Sequence, residues 1–268
     1  MHSPFCFSTA TKVRAPTARL LLVATTLLTG LAGTQIQAAE EDSELRKALI
    51  AAMASDTRSD ADKARDKNRK PIETLEFFQL ADDLRVVELL PGGGWYTRLL
   101  APTLRDKGEL FVAIGTSRLE EQLLTQPGFD KVKVLAADTE IGRSPEGATM
   151  ESLNLGVKRV DLVLTFRNLH NFDAPSRKVM NEAVFTALKR GGMYGVVDHT
   201  RRHMQKRDSE NRRRMDPVLV IKEIQDVGFE FVDYSDLHYR LDDELRYEVG
   251  RRSVTGNSDR FTLLFEKP

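Results

Sequence analysis

Glycines and polar residues gather where short apolar runs of this chain end. The clearest case is the run at residues 86–90, which stops at Pro91 and is followed by Gly92, Gly93 and Gly94. A run too short for a helix, a glycine turn and an amphipathic segment predict a strand, a tight turn and a helix. Glycines let the backbone approach a ligand, and free N–H groups at a helix start point beyond the strand end. The stretch therefore predicts a site for a nucleotide-like ligand, with a purely structural turn as the alternative.

The spacing of the glycines separates the possible ligands. A dinucleotide-binding fingerprint requires a further glycine where this chain has Thr97, and a Walker loop requires Gly-Lys-Ser/Thr where it has Gly-Trp-Tyr. The sequence therefore disfavours a dinucleotide-binding site and a Walker-type ATP site. With Glu88 on the strand, the turn resembles motif I of the class I S-adenosylmethionine (SAM) methyltransferases, although Leu90 replaces the first glycine. The resemblance implies that SAM is contacted by Glu88, Pro91, Gly92, Gly93, Gly94 and Tyr96.

The ends of the second and third predicted strands are the next positions at which this sheet would bind a ligand. Asp138 follows the third strand, and the resemblance implies that it accepts a hydrogen bond from the adenine. A turn-forming aspartate is the alternative. The second strand ends at Gly115, where the family has an acid for the ribose. We therefore expect Thr116, Ser117 or a glutamate of the next helix to hold the ribose.

The fourth and fifth predicted strands end in residues suited to acid–base chemistry. Arg167, Asn168 and His170 follow the fourth strand, and Asp198 and His199 close the fifth. Histidine is the usual general base near neutral pH, and a carboxylate beside it can orient its ring. We predict that His170, His199, Asp198 and Asn168 are catalytic and that Arg167 and Asn168 also orient the cofactor. The alternative is that the histidines are structural.

A metal-dependent hydrolase is a weaker alternative. His203 lies four residues after His199, a spacing that permits two ligands on one helix face, and His170 and Asp198 could join them. No intervening glutamate completes a zinc-protease motif. We therefore predict no metal.

Strands and helices must alternate if these residues are to meet. Strands are predicted at 84–90, 109–114, 131–136, 160–166 and 193–198, with helices at 95–104, 117–125 and 175–189. Such alternation predicts a parallel sheet with right-handed crossovers. A helix from 217 to about 227 is followed by strands at 229–234 and 260–266, which no helix separates. The predicted fold class is α/β, a doubly wound Rossmann-like class I methyltransferase sheet that is mostly parallel with an antiparallel C-terminal strand.

Longer motifs extend the resemblance over residues 60–268. They are Glu-Leu-x-Pro-Gly-Gly-Gly-Trp-Tyr-Thr, Thr-Phe-Arg-Asn-Leu-His, Gly-Val-Val-Asp-His and Ser-Asp-Arg-Phe-Thr-Leu-x-Phe. They resemble a family of exported bacterial class I SAM-dependent methyltransferases without an assigned acceptor. Its members often carry His-Arg where this chain has Arg213 and Arg214. The resemblance implies transfer of a methyl group from SAM to a small-molecule acceptor.

The segment before the sheet is predicted to be a helical cap. Helices are expected at 41–54 and from Pro71, separated by a highly charged stretch. Within that stretch, Arg65, Asp66 and Arg69 could close over a cofactor carboxylate or an acceptor. A solvated charged face is the alternative.

The first 39 residues have the layout of a secretory signal peptide. Lys12, Arg14 and Arg19 precede an uncharged stretch at 20–39 that ends in small residues. An uncleaved anchor is the alternative, but the strongly apolar part is only about ten residues long. We expect a cleaved, periplasmic or secreted protein without a membrane span. The predicted domains are a signal peptide at 1–39, the helical cap at 40–80 and a methyltransferase-like domain at 81–268.

Charge and compartment bound the function further. Three of the 40 Lys and Arg and none of the 40 Asp and Glu lie in residues 1–39, so the remainder has a net charge of −3. Such a balance predicts no nucleic-acid partner. Export conflicts with a cofactor that is made in the cytoplasm. The alternative function is therefore a non-catalytic periplasmic binding module of the same fold, for a nucleoside-like or anionic ligand, which the missing acid at Gly115 favours.

Overall fold

A computed structural model describes residues 44–268, so the predicted signal peptide lies outside the described range and stays a prediction. The strands are β1 (Arg85–Leu89), β2 (Glu109–Ala113), β3 (Lys133–Val134), β4 (Ile141–Ser144), β5 (Gly147–Met150), β6 (Val160–Phe166), β7 (Leu188–His199), β8 (Glu230–Ser235) and β9 (Arg260–Glu266). The helices are α1 (44–54), α2 (Asp60–Lys63), α3 (Asp66–Arg69), α4 (Pro71–Phe77), α5 (Thr97–Leu104), α6 (Ser117–Leu119), α7 (Ala174–Ala187) and α8 (Pro217–Gln225). A π-helical segment, Glu120–Leu124, continues α6, and a 3₁₀ turn, Leu169–Asn171, follows β6.

Seven strands form one sheet in the order β3-β2-β1-β6-β7-β9-β8. In this sheet β3, β2, β1, β6 and β7 run parallel to one another, whereas β9 runs antiparallel to both β7 and β8. The predicted doubly wound, mostly parallel sheet with an antiparallel C-terminal strand is confirmed. The chain winds outward from β1 to β3 and then returns to place β6 beside β1, so the topological switch point lies between β1 and β6.

Alternation along the strands builds a core on each face of the sheet. Val86 of β1 belongs to a cluster with α1, α4 and α5, and its neighbour Val87 belongs to the opposite cluster with α7 and α8. Because successive strand residues point to opposite faces, a strand buried on both sides is apolar almost throughout. That is why the short apolar runs in the sequence located the central strands.

The predictions failed mainly at the sheet edge. The third strand, β3, pairs over only two residues instead of the predicted 131–136, and both are exposed. The hairpin of β4 and β5 was not predicted, because β4 is largely exposed and lacks apolar alternation. An edge strand buries little apolar area, so its pattern is weak. In the part of the chain that the structure describes, no helix is long and apolar enough to cross a membrane.

The helices before β1 are fixed to the sheet through Phe78, which is fully buried and follows α4 directly. Its ring packs on the middle of β7 at Gly195, where an added Cβ would lie 2.7 Å from Cγ of Phe78 and 2.8 Å from Cδ2 of Leu164. Real Cβ atoms do not approach other atoms so closely. The absence of a side chain at Gly195 therefore allows α4 to pack against the sheet.

We predict that Gly195→Ala lowers the free energy of unfolding by about 2 kcal/mol, because the added methyl group overpacks this contact. Phe78→Leu should be destabilising alone and should partly relieve the clash in the double variant. Denaturant unfolding of the two single variants and the double variant tests this. Additive losses would show that Phe78 and Gly195 do not share the contact.

Candidate functional site

A cavity of about 470 Å³ lies at the carboxyl ends of β1 and β6, the switch point of the sheet. In open α/β sheets this is the position at which ligands bind. The glycine turn and the cap helices α2 and α3 complete its walls. Of the residues that the sequence analysis named as possible ligand contacts, those that line it are Arg65, Arg69, Glu88, Pro91, Gly92, Gly93, Tyr96, Arg167 and Asn168.

Three neighbouring strands end in a residue with left-handed backbone. Leu90 after β1 has φ +51°, Ile114 after β2 has φ +67°, and Arg167 after β6 has φ +63°. This conformation costs about 1 kcal/mol or more for a residue with a Cβ, and such strain is often held at functional sites. Leu90, which replaces the first glycine of the motif, adopts the left-handed conformation that glycine favours.

Asn168 joins the ends of β6 and β1. Its side-chain amide donates to the carbonyl oxygens of Leu89 (3.3 Å) and Leu90 (3.4 Å), and lies 3.2 Å from the hydroxyl of Thr165. These contacts satisfy carbonyls at the start of the strained turn. Asn168 therefore fixes the backbone beside the cavity, and its predicted catalytic role stays a prediction.

The three glycines of the turn have different surroundings. Gly92 has φ +60°, is exposed to the cavity, and has no atom within 4 Å of the position a Cβ would take. Gly93 lies under the guanidinium of Arg118. Gly94 has φ +77° and does not line the cavity, and a Cβ there would lie 2.5 Å from Leu119 and 2.6 Å from Leu123. Gly92 leaves room for a ligand, whereas Gly94 leaves room for the helix that packs behind the turn.

Glu88 places a buried carboxylate beside the cavity. The side chain is 2% exposed, and the hydroxyl of Thr97 donates to Oε2 at 2.6 Å. Burial raises the pKa of Glu88 to about 7, although the Thr97 hydroxyl and the charge of Arg69 lower it in part. A cationic ligand in the cavity would favour the ionised form of this carboxylate.

Aromatic rings and arginines form the wall beneath the cap. Tyr96 stacks on Phe166 with ring centroids 3.5 Å apart, and the guanidinium of Arg69 lies 4.2 Å from the ring centre of Trp95. The indole N–H of Trp95 donates to the carbonyl oxygen of Asp62 (3.1 Å). These contacts hold α2 and α3 over the turn.

The predicted acid–base residues form a separate buried cluster. Oδ1 of Asp198 lies 2.6 Å from Nδ1 of His170, and the carboxylate also accepts from the backbone N–H of His170 (3.1 Å) and His199 (2.7 Å). His199 bonds Ser258 through Nδ1, and its pKa is held well below the ordinary value by burial and by nearby His170. The structure thus brings Asp198, His170 and His199 together, and their predicted catalytic roles stay predictions. None of them lines the 470 Å³ cavity; His170 lines a neighbouring cavity of about 150 Å³.

The two predicted cofactor residues beyond β2 and β3 also lie outside the lining. The hydroxyl of Thr116 donates to Oε1 of Glu120 (2.6 Å), an exposed acid one helical turn later. The backbone of Asp138 pairs with Asn154, and its side chain is exposed. Their predicted contacts with ribose and adenine stay predictions.

His203 does not approach the other histidines. Its Nδ1 lies 3.0 Å from Asp216, which caps the N-terminus of α8 by accepting from the N–H of Val218. Among residues 44–268, no group of three His, Cys, Asp or Glu side chains is arranged to hold a metal ion.

Several contributors to the cavity were not predicted from the sequence. Arg98 donates to the carbonyl oxygens of Thr57 (2.9 Å) and Gly94 (3.0 Å) and so ties the cap to the turn. Arg118 bonds Gln122 (3.1 Å) on the opposite side of the turn. Single arginines on amphipathic helices carry no sequence signal for such roles, since only the packing of the helices decides where they point.

No family model and no curated protein sequence matches this chain. Solved structures do. A SAM dependent methyltransferase from Aquifex aeolicus is 15% identical with a TM-score of 0.52, and the match covers 76% of this chain and 93% of that chain. The [4+2]-cyclase SpnF is also 15% identical with a TM-score of 0.52, covering 84% of this chain and 93% of that chain. This protein therefore shares its fold with a SAM-dependent methyltransferase and with a cyclase.

We predict that Gly94→Ala lowers the free energy of unfolding by about 3 kcal/mol, the sum of left-handed strain and overpacking. Gly92→Ala should cost only about 1 kcal/mol, because its methyl group enters open space. Thermal or denaturant unfolding of both variants measures the difference. Equal losses would contradict the different roles assigned to the two glycines.

We also predict a pH-dependent contribution of Glu88 to stability. Because its folded pKa is raised, the contribution is fully present below pH 4.5 and is lost as the pH rises through about 7. The loss amounts to about 3 kcal/mol. Glu88→Gln cannot ionise, so its stability relative to the wild type should increase by this amount between pH 4.5 and pH 8. Denaturant unfolding at both pH values tests this, and a constant difference between the two proteins would contradict it.

Proposed function

We propose that this protein binds SAM in the cavity between β1 and β6 and transfers its methyl group to a small-molecule acceptor. The observation that carries the proposal is the open backbone of Gly92 at the topological switch point. The fold shared with a SAM dependent methyltransferase supports it. Because the same fold also occurs in a cyclase, the assignment rests on the site and not on the fold alone.

The cavity residues fit a nucleoside that carries a positive charge. The exposed backbone of Gly92 and Gly93 allows close approach at the turn before α5. The carboxylate of Glu88 would pair with a cation. Because its pKa in the free protein is about 7, a bound cation would shift it toward the ionised form near neutral pH.

SAM supplies a methyl group on a sulfonium, and an acceptor atom forms the new bond to carbon while the electron pair of the broken S–C bond stays on sulfur. The leaving group is already good, so the protein contributes mainly by positioning. Asn168 holds the ends of β1 and β6 in register, and Thr97 orients the carboxylate of Glu88. The cap helices α2 and α3 line the other side of the cavity and would exclude water from the reacting groups.

The cavity offers few groups that could take a proton from an acceptor. Its acidic lining residues are Asp62 and Glu88, and no histidine among the described residues lines it. Asp62 accepts from Arg65 in an ion pair. Glu88, or water, is therefore the proton acceptor that this cavity provides when the acceptor is not already ionised.

We predict that the full-length chain binds SAM and its thioether product, S-adenosylhomocysteine, and that Gly92→Ala weakens both at least tenfold, because the methyl group fills the space for close approach. Gly156→Ala is the matched control, since Gly156 is also left-handed (φ +66°) with open space around it and lies outside the lining. Isothermal titration calorimetry measures the affinities.

Folded wild-type protein that binds neither compound would overturn the proposal. Equal weakening by Gly92→Ala and Gly156→Ala would place the binding site elsewhere. Incubation with methyl-labelled SAM and a small-molecule extract, followed by mass spectrometry, tests turnover. Binding without any labelled product would contradict the catalytic part of the proposal.

A further inference from the structure

The lining of the 470 Å³ cavity carries more positive than negative charge. Two carboxylates, of Asp62 and Glu88, face five arginines. These are Arg65, Arg69, Arg98, Arg118 and Arg167. SAM has two positive groups and one carboxylate, so its net charge does not balance this excess.

Three of the arginines are occupied by the protein itself. Arg65 pairs with Asp62, Arg98 donates to carbonyl oxygens of the cap and the turn, and Arg118 bonds Gln122. The guanidinium groups of Arg69 and Arg167 are different. In the described part of the chain, no carboxylate, carbonyl or side-chain oxygen accepts a hydrogen bond from either of them.

Burial disfavours the charged form of both arginines. Arg69 is only 4% exposed, and burial together with the positive charge of Arg167 lowers its pKa to about 9. Burial also lowers the pKa of Arg167, whose backbone has left-handed φ. The Arg69 guanidinium contacts the Trp95 ring, Arg167 is half-buried, and neither has an anionic partner among the described residues. Both line the cavity, so an anion that enters it can pair with them.

The position of Arg69 is fixed from behind by β9 and the loop before it. Nε2 of His238 lies 2.9 Å from the carbonyl oxygen of Arg69, and Arg260 donates to the carbonyl oxygen of Asn68 (2.9 Å). Because a carbonyl only accepts, Nε2 carries the proton and Nδ1 accepts from the hydroxyl of Thr262 (2.7 Å). Burial lowers the pKa of His238 to about 4, so the ring stays neutral and keeps this arrangement.

The hydroxyl of Tyr96 stands in the same group. Burial raises its pKa, although the positive charges of Arg69, Arg167 and Arg260 lower it in part. No described residue forms a hydrogen bond with this hydroxyl. It is therefore a protonated donor in a residue that lines the same cavity as Arg69 and Arg167, and hydroxyl and guanidinium groups are donors from which a carboxylate or phosphate accepts.

We infer that Arg69 and Arg167, with Tyr96, bind an anionic group of the methyl acceptor, so that the acceptor is a small carboxylate or phosphate ester. The inference rests on the proposed function. SAM brings an ammonium and a sulfonium against one carboxylate, so its binding increases the positive excess of the cavity. An anionic acceptor would offset that positive excess.

The test uses full-length protein saturated with S-adenosylhomocysteine and titrated with inorganic phosphate and with benzoate in a calorimeter. We expect Arg69→Gln and Arg167→Gln each to weaken the binding of at least one of these anions about tenfold or more, the loss of a charge-assisted hydrogen bond. Arg65→Gln is the matched control, because it removes a charge from the same cavity that Asp62 already neutralises. Because Arg69→Gln also removes the contact of the guanidinium with the Trp95 ring, the thermal midpoint of each variant is measured to show that it is folded.

The carboxylate of the cofactor is the competing source of the anion. The inference assigns Arg167 to the acceptor in place of the cofactor contact predicted from the sequence, so Arg69→Gln and Arg167→Gln are expected to leave the affinity for S-adenosylhomocysteine unchanged. If they weaken it while methylthioadenosine, which lacks the carboxylate, binds as before, the arginines hold the cofactor and the inference is overturned. It is also overturned if neither anion binds, or if Arg65→Gln has the same effect. Failure of the proposed function would appear separately, as absence of S-adenosylhomocysteine binding to the wild type.

Discussion

The meeting of β1 and β6 at the switch point is the constraint on which the rest of the structure depends. Two parallel strands end side by side there, and the backbone leaves the sheet after each of them through a left-handed residue, Leu90 or Arg167. The amide of Asn168 bridges the two ends, and Gly94 lets α6 and its π-helical extension pack behind the turn. The 470 Å³ cavity is the space that this divergence leaves.

Burial disfavours the charged forms of two residues that line that cavity. Glu88 is buried with a raised pKa, and Arg69 is buried with a lowered one, so both groups destabilise the free protein when charged. A ligand with separated positive and negative groups would relieve both costs. The charges that would favour ligand binding are therefore ones that burial disfavours in the free protein, as is usual where a site is held ready for a ligand.

The buried cluster of Asp198, His170 and His199 has the composition of a catalytic site but lies outside the lining of the 470 Å³ cavity. Asp198 is fully buried, and its carboxylate oxygens bond the ring of His170 and the backbone N–H groups of His170 and His199. These bonds tie the 3₁₀ turn after β6 to the end of β7. This linkage stabilises the two strand ends that flank Arg167, so the cluster can influence the cavity without lining it.

The sequence by itself determined the fold class and the position of the glycine turn, because strands buried on both faces must be apolar and a sharp exit from them needs glycine. It also predicted that Glu88, Arg167 and Asn168 lie at one edge of the sheet, since parallel strands share their carboxyl edge. Only the tertiary structure decided which of these residues meet in one cavity. Packing against Leu119 and Leu123 gives Gly94 a role different from that of Gly92. The position of Arg69 depends on contacts of the cap with β9 and the loop before it. Such contacts join residues far apart in the chain, and no local pattern encodes them.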